Sequence, residues 1–218
     1  MKARAHRRTQ AGMTLLEVAA AVTLFVGVVG VAVTVTRTGS EEFRSTSLHA
    51  DLDMKAHRVL DRIARELSLA NAASLAAVPS SPVWAESVTF QQPAGRPAAD
   101  GTFAWRTVRI ALEPDAGETF DGADEDGDGL VDVGVVALVQ DPGGPDEQRV
   151  VLCRWVRGRL EGELVSGADE NGNGLVDERG LCFERLGDRI TVRLSLERRT
   201  SGGEPFVKTV ATSVTVRN

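Results

Sequence analysis

The chain of 218 residues contains no tyrosine, only two cysteines and only 5% aromatic residues. Aromatic surfaces for stacking nucleic acid bases are therefore scarce, and a net charge of -6 disfavours general binding to phosphates. The sequence has no Gly-x-Ser-x-Gly elbow, no phosphate-binding glycine loop and no His-Glu-x-x-His helix. It therefore predicts neither an enzyme nor a nucleic acid partner.

Acidic residues are absent before Glu17, and the segment that precedes it is basic, with Lys2, Arg4, Arg7 and Arg8. Residues 13–36 contain one charge, that of Glu17. As a helix these residues would be about 36 Å long, enough to cross a hydrocarbon core of about 30 Å. A cleaved secretory signal has a shorter apolar stretch and an Ala-x-Ala end. The sequence predicts a transmembrane helix, with the basic end in the cytoplasm and the remainder outside.

Glu17 lies inside the edge of the apolar run, where an acidic side chain is costly unless it has a partner. It closes the segment Gly12-Met13-Thr14-Leu15-Leu16-Glu17. With its short basic leader and the hydrophobic helix that follows, this segment resembles the N-terminus of the type IV pilin and pseudopilin superfamily. Met13 stands where the family usually has phenylalanine. A plain signal anchor with an accidental glutamate is the alternative interpretation.

The resemblance implies that a prepilin peptidase in the inner membrane cuts between Gly12 and Met13 and methylates the new amino group of Met13. It also implies that Glu17 pairs with the N-terminal amine of a neighbouring subunit as helices stack into a filament. Such pairing would remove the penalty of an isolated buried carboxylate. The expected partners are the peptidase, the inner membrane before assembly, and other pilins or pseudopilins through the N-terminal helix.

A second helical pattern follows the span. Apolar residues recur at spacings of three and four, namely Leu48, Leu52, Ala56, Val59, Ile63, Leu67 and Ala70. The pattern predicts an amphipathic stalk helix over 37–78, with its weakest point at Gly39 and Ser40. We expect the stripe to pack on the protein's own sheet, and the alternative is a partner helix.

All eight prolines lie at or beyond Pro79 and divide residues 79–218 into short segments. Alternating or β-branched runs predict strands near 84–90, 103–113, 133–140, 149–157, 188–197 and 206–216. A helix followed by meandering strands favours the α+β class, with a long N-terminal helix packed on an antiparallel sheet. The pilin resemblance implies the same architecture.

Two acidic segments, 122–132 and 167–177, are identical at nine of eleven positions. Each alternates oxygen-bearing side chains around a glycine and ends in aspartate, a pattern that can wrap a hard cation such as calcium. The predicted ligands are the side chains of Asp124, Asp126, Asp128 and Asp132 with the carbonyl of Leu130, and those of Asp169, Asn171, Asn173 and Asp177 with the carbonyl of Leu175. The first loop offers more carboxylates, so we expect it to bind calcium more tightly.

The two segments resemble EF-hand-like and thrombospondin type 3 calcium loops, with one departure. The twelfth positions are Val135 and Gly180 instead of glutamate, so a bidentate ligand must come from elsewhere. An ordinary surface turn is the alternative, since aspartate, asparagine and glycine are the usual turn formers. Magnesium fits less well, because it prefers few protein ligands and many waters.

Cys153 and Cys182 flank the second acidic segment, in a region that we expect to face an oxidising compartment. A disulfide between them is predicted, and two buried thiols are the alternative. His49 and His57 lie off the centre of the apolar stripe, where solvation is a simpler role than catalysis.

Together these features predict a basic leader over 1–12, a transmembrane helix over 13–36, a stalk over 37–78 and a periplasmic head over 79–218 that contains the calcium loops. We interpret the chain as a minor pilin or a J- or W-type minor pseudopilin of a type IV pilus or type II secretion filament. The alternatives are a major pilin, a non-polymerising membrane-anchored calcium-binding domain and an anchored hydrolase.

Overall fold

Helix α1, Leu15–Ser68, is the longest element of the protein. The structure is a computed structural model, and it describes residues 13–77, 79, 83–97, 103–200 and 202–216. The chain divides into two units, Met1–Ser45 and Thr46–Asn218, so that each unit contains a part of α1. The predicted leader, including Gly12, lies outside the described residues.

The first part of α1 is apolar and exposed. Every residue from Met13 to Arg44 is exposed, and the helix is long and apolar enough at its N-terminal end to cross a membrane. Thr23, Thr34 and Thr36 each donate their hydroxyl to the carbonyl four residues earlier, at 2.8, 3.0 and 2.8 Å. These bonds satisfy the hydroxyls without water, as a hydrocarbon environment requires. The described residues thus contain a candidate membrane-spanning helix near the N-terminus, as predicted.

The last part of α1 is amphipathic. Its buried stripe matches the predicted spacing and consists of Leu52, Ala56, Val59, Ile63 and Leu67, followed by Ala70 beyond the helix. Glu66 is also buried, and it forms an ion pair with the half-exposed Arg62 at 2.7 Å. Gly39 and Ser40 do not interrupt the helix. The sequence pattern therefore identified the face of α1 that packs against the sheet.

The helix ends at Ser68, before the predicted boundary at residue 78, and a 3₁₀ segment, Ala72–Ala77, follows. Asn71 explains the early end. Its backbone N–H donates to the carbonyl of Gln91 at 2.8 Å, and its side-chain Oδ1 accepts from the N–H of Ala73 at 3.0 Å. Asn71 therefore joins the chain to the sheet and caps the 3₁₀ segment instead of continuing α1.

The described residues that follow form eight strands, and all their pairings are antiparallel. Their bounds are β1 Trp84–Ala85, β2 Ser87–Pro97, β3 Phe103–Pro114, β4 Gly134–Gln140, β5 Gln148–Val156, β6 Leu181–Leu186, β7 Arg189–Arg199 and β8 Pro205–Thr215. The order in the sheet is β1-β6-β7-β5-β4-β3-β2, and β8 also pairs with β7. The protein is therefore α+β, with a long apolar N-terminal helix and an antiparallel sheet.

One continuous hydrophobic core joins the α1 stripe to the sheet. Its largest fully buried strand residues are Phe90, Ile110, Leu138, Phe183, Leu181, Ile190 and Leu194. Each side chain of this size contributes about 1.5–3 kcal/mol when it is fully removed from water. The core therefore fixes the strands between which the two acidic segments are held.

The strand prediction was incomplete at two places. The predicted strand near 84–90 is two strands, β1 and the longer β2, and β6 was not predicted. β6 is short and forms a tight hairpin with β7, in which Leu186 pairs with Arg189 across a two-residue turn. Gly187 opens that turn with φ 62°, a conformation that glycine adopts without strain.

The predicted disulfide is not formed, because Cys153 and Cys182 are both free. Cys153 lies on β5 and Cys182 on β6. Burial raises the pKa of both thiols to about 12, so both are inert at neutral pH.

Candidate functional site

The two acidic segments are loops that connect neighbouring strands. The first loop, residues 115–133, joins β3 to β4, and the second loop, residues 160–178, lies between β5 and β6. Each has a buried leucine at the matched position: Leu130 is 4% exposed and Leu175 is 1% exposed. Both loops are thus held in the interior at the same point of their sequence.

In the first loop, short carboxylates accept backbone N–H groups and shape the turn. Asp124 accepts from Gly127 at 2.8 Å and from Gly129 at 2.9 Å. Asp126 accepts from the N–H of Asp128 at 3.0 Å, and the side chain of Asp128 accepts from Leu130 at 2.8 Å. Asp132 closes the loop by accepting from Gly122 at 2.7 Å.

The second loop repeats this arrangement. Asp169 accepts from Gly172 at 2.7 Å and from Gly174 at 2.8 Å. Asn171 accepts from Asn173 at 3.0 Å, and the side chain of Asn173 accepts from Leu175 at 2.8 Å. Asp177 closes this loop by accepting the N–H groups of Ser166 and Gly167 at 3.0 and 3.1 Å.

The backbones of the two loops correspond residue by residue. Residues with positive φ recur in matched pairs: Gly122 at 91° and Gly167 at 76°, Gly127 at 74° and Gly172 at 73°, Gly129 at 87° and Gly174 at 88°, and Asp132 at 55° and Asp177 at 54°. Aspartate tolerates this left-handed conformation better than most residues do. The two loops are therefore one structural unit that occurs twice.

This unit is longer than the repeat recognised in the sequence. Gly117 and Gly162 also have positive φ, at 94° and 86°, and each is followed by a buried glutamate, Glu118 or Glu163. The backbone N–H of each glutamate donates, at 3.1 Å, to the carbonyl three residues earlier. Extending the sequence comparison five residues upstream would have found both, but the positions between differ and obscured the match.

Among the described residues, two groups of carboxylates lie close enough to hold a metal ion. In the first loop these are Glu118, Asp124 and Asp126, and in the second they are Glu163, Glu170 and Asp177. Each residue offers one carboxylate oxygen, and the three oxygens of a group lie within 4.8 Å of one another. Either group could therefore bind a metal ion, as the sequence predicted for these loops.

Only some of the predicted ligands belong to these two groups. Asp124, Asp126 and Asp177 belong to the groups, and Asp128, Asp132 and Asp169 lie outside them. All six also accept backbone N–H groups that shape the loops. Three contributors, Glu118, Glu163 and Glu170, were not predicted. Glu118 and Glu163 lie upstream of the repeated segments, and Glu170 lies within its segment but outside the alternating ligand positions.

Burial raises the pKa of Glu118 and of Glu163 above the usual glutamate value. Neighbouring carboxylates add to this effect, Asp126 for Glu118 and Glu178 for Glu163. Both sites therefore concentrate negative charge at a buried carboxyl, an arrangement that a cation would relieve.

The loops differ at the residue that follows the closing aspartate. Val133 occupies this place in the first loop and is buried, whereas Glu178 occupies it in the second and is fully buried. One oxygen of Glu178 accepts from Nδ2 of Asn173 at 2.6 Å. Its other oxygen, Oε2, has no hydrogen-bond partner among the described residues.

A second group of functional interest lies at the start of α1. The carboxylate of Glu17 accepts the backbone N–H of Thr14 at 2.8 Å and its hydroxyl at 3.1 Å, and the Thr14 hydroxyl accepts the N–H of Glu17 at 3.3 Å. This reciprocal arrangement is a capping box. Glu17 is thus bonded to its own chain next to Met13, a role that the sequence analysis did not foresee.

The two described histidines lie on α1. The ring of His49 stacks on Phe206 with centroids 3.5 Å apart, and Nε2 of His57 lies 3.7 Å from a carboxylate oxygen of Asp53. Comparison with family models, with curated proteins and with solved structures finds no match to this chain. The assignment of function therefore rests on the residues described above.

Proposed function

We propose that this protein is a minor pilin or pseudopilin, anchored in the inner membrane and assembled through α1 into a type IV pilus or type II secretion filament. The observation that carries the proposal is the position of Glu17, in the first turn of an exposed apolar helix and bonded to the residue after Met13. Prepilin peptidase would expose the amine of Met13 within reach of this carboxylate.

The capping box supports two successive roles for Glu17, one before assembly and one during it. Before assembly, the hydrogen bonds from Thr14 offset part of the cost of placing the Glu17 carboxylate at the membrane edge. During assembly, the amine of a neighbouring subunit would offer Glu17 an ion pair with full charge compensation. The same side chain thus serves insertion first and subunit contact afterwards.

The head of this subunit would lie in the periplasm, and we propose that calcium stabilises it. The support is the pair of carboxylate groups, which contain only oxygen ligands, as calcium prefers. A bulky head with two ion-binding loops suits a subunit at the tip or in the initiation complex better than one repeated along the filament. In this role the ions are structural.

Mass spectrometry of membrane and filament fractions tests the proposal. The expected chain begins at N-methylated Met13. Recovery of only the full-length chain from a host with active peptidase would contradict the pilin assignment and favour a non-polymerising anchored domain. A high abundance in sheared filaments would indicate a major pilin instead.

Two matched variants separate the charge of Glu17 from its capping role. Glu17→Gln retains the reciprocal cap but loses the charge, so we expect normal insertion and impaired incorporation into filaments. Thr14→Val removes the cap and retains the charge, so incorporation should persist. Normal incorporation of Glu17→Gln would contradict an ion pair between subunits.

A further inference from the structure

Glu118 is buried, yet one of its oxygens has no partner. The residue is 6% exposed, and its Oε1 accepts the backbone N–H of Asp126 at 3.1 Å. Its Oε2 has no hydrogen-bond partner among the residues that the structure describes. A buried carboxylate oxygen without a partner is costly, because the protein has not replaced the water that it lost.

No ion pair within the described residues compensates for this group. Within the described ranges, no lysine, arginine or histidine lies within 4.0 Å of the carboxylates of Glu118, Asp124 or Asp126. Three acidic side chains therefore converge without an ion pair. A mobile cation is the group that would complete the arrangement.

The spacing of the oxygens suits one calcium ion. Ligand atoms 2.3–2.6 Å from a common ion can be at most about 4.6–5.2 Å apart, twice the radius. Glu118, Asp124 and Asp126 each offer one carboxylate oxygen, and these three oxygens lie within 4.8 Å of one another. The site contains no sulfur or nitrogen ligand, which disfavours zinc and copper.

We infer that Glu118 is a calcium ligand of the first loop, which it reaches from the preceding turn to supply the carboxylate that the twelfth position lacks. Val135, at that position, is buried in β4 and has no oxygen in its side chain. Glu118 lies before the repeated segment 122–132 and Asp124 and Asp126 lie within it, so the site is assembled from two turns of the first loop. This inference rests on the proposed calcium-binding role of the loops and is independent of the filament role.

The corresponding glutamate of the second loop is hydrogen-bonded differently. Oε1 of Glu163 accepts from Asn171 at 3.2 Å, and Oε2 accepts from the N–H of Asp177 at 3.0 Å. In the first loop the N–H of Asp132, the counterpart of Asp177, instead donates to the carbonyl of Ala123 at 3.4 Å. Glu163 therefore closes its loop by hydrogen bonds, whereas Glu118 keeps an oxygen free for an ion.

Calcium binding to the full chain in detergent micelles tests the inference, by equilibrium dialysis with radioactive calcium in chelator-buffered solutions. Glu118→Gln preserves the acceptor for Asp126 and removes the charge, and we expect it to weaken the tighter site by about tenfold or more. Glu147→Gln is the matched control, because this exposed glutamate lies in the turn at the opposite end of β4. The calcium affinity of this control variant should remain within about twofold of that of the wild type.

The melting temperature in excess chelator separates a ligand from a structural residue. Without calcium, Glu118→Gln should melt at or above the wild-type temperature, because it removes a buried charge that has no partner. With calcium the order should reverse, since an ion that binds only the folded chain stabilises it. If Glu118→Gln does not fold, Glu118→Asp replaces it, and its carboxylate, shorter by one methylene, should show the same loss of affinity.

The outcomes distinguish the two proposals. If the wild type binds no calcium up to millimolar concentrations, the proposed calcium role of the loops fails together with this inference. If the wild type binds calcium and Glu118→Gln binds it equally well, only the role of Glu118 is overturned. Loss of the tighter site in Glu118→Gln but not in Glu147→Gln supports the inference.

Discussion

The first and second loops have the same backbone, with positive φ at matched residues, but they satisfy their buried carboxylates differently. In the second loop both oxygens of Glu163 accept N–H groups, and in the first loop one oxygen of Glu118 accepts nothing among the described residues. The second loop has its own unsatisfied carboxylate oxygen, on Glu178, where the first has Val133.

The two loops therefore share their backbone shape more closely than they share the way in which their buried carboxylates are paired. The glycines and the N–H acceptors must be retained for the chain to turn, so they recur in both copies. The buried side chains around the turn are constrained only by the space and partners available to them. Variants at matched positions can therefore test what the two loops share and what separates them.

The largest effect is expected where the loops are most alike, at their buried leucines. Leu130→Ala and Leu175→Ala should each lower the free energy of unfolding by about 2–5 kcal/mol, with or without calcium, because both side chains are packed in the interior. The neighbouring valines, Val131 and Val176, are 51% and 43% exposed and provide matched controls. Thermal melting of the full chain in detergent measures both pairs.

A similar cost for the two leucines, and a much smaller cost for the two valines, would show that the core holds both loops in the same way. If Leu175→Ala lowers the free energy of unfolding and Leu130→Ala does not, the two loops are not held in the same way. This outcome would indicate that the first loop is held by its carboxylates alone.

The second largest effect is expected at the matched position where the first loop buries Val133 and the second buries Glu178. In excess chelator, Glu178→Val should raise the free energy of unfolding by about 1–3 kcal/mol, because it removes a buried carboxylate with an unpartnered oxygen. The reciprocal change, Val133→Glu, should lower it by a similar amount. Both changes can be measured as shifts in melting temperature, at about 2–4 °C for each kcal/mol.

Glu178→Gln is the control for this exchange, since it keeps the acceptor for Asn173 while removing the charge. It should fall between the wild type and Glu178→Val. If Glu178→Val destabilises the chelated protein, the hydrogen bond from Asn173 outweighs the unsatisfied oxygen, and the second loop depends on its buried glutamate.

Much of the fold could be predicted from the sequence because local patterns determine it. The apolar stripe of α1 follows from helical spacing, and alternating runs such as Thr191 to Leu196 indicated a strand that the structure contains. The hairpin of β6 was missed because Leu181–Leu186 is short and follows an acidic loop. Its signal was the tight turn at Gly187, which was not interpreted as a hairpin.

The candidate site could be predicted only in part, for a physical reason. Asp124 and Asp126 follow from the alternation of oxygen ligands, which is a local pattern. Glu118 becomes a neighbour of these residues only because the preceding turn folds back and the core buries its side chain. Pairing of Cys153 with Cys182 was also predicted, from the expected oxidising compartment, but both thiols are free in the structure.

The smallest effect is expected at the exposed entrance of the second loop. The hydroxyl of Ser166 donates to Glu170 and accepts from the N–H of Ala168 at 3.1 Å. In the first loop the equivalent N–H, that of Ala123, donates to Asp121 at 3.0 Å. The hydroxyl that donates to Glu125 belongs to Thr119. Ser166→Ala should lower the melting temperature by about 1–2 °C at neutral pH in excess chelator, because an exposed hydrogen bond contributes little.

This small loss should depend on pH with a definite sign. The hydrogen bond from Ser166 holds the pKa of Glu170 below its ordinary value of 4.5. A lowered pKa in the folded state stabilises the protein above the unfolded pKa, and this stabilisation disappears as the pH falls through the folded pKa. The melting temperatures of the wild type and Ser166→Ala should therefore converge below about pH 4. Glu170→Gln, which cannot titrate, should remove this convergence, and a difference that persists at pH 3 would show that Ser166 acts through Ala168 alone.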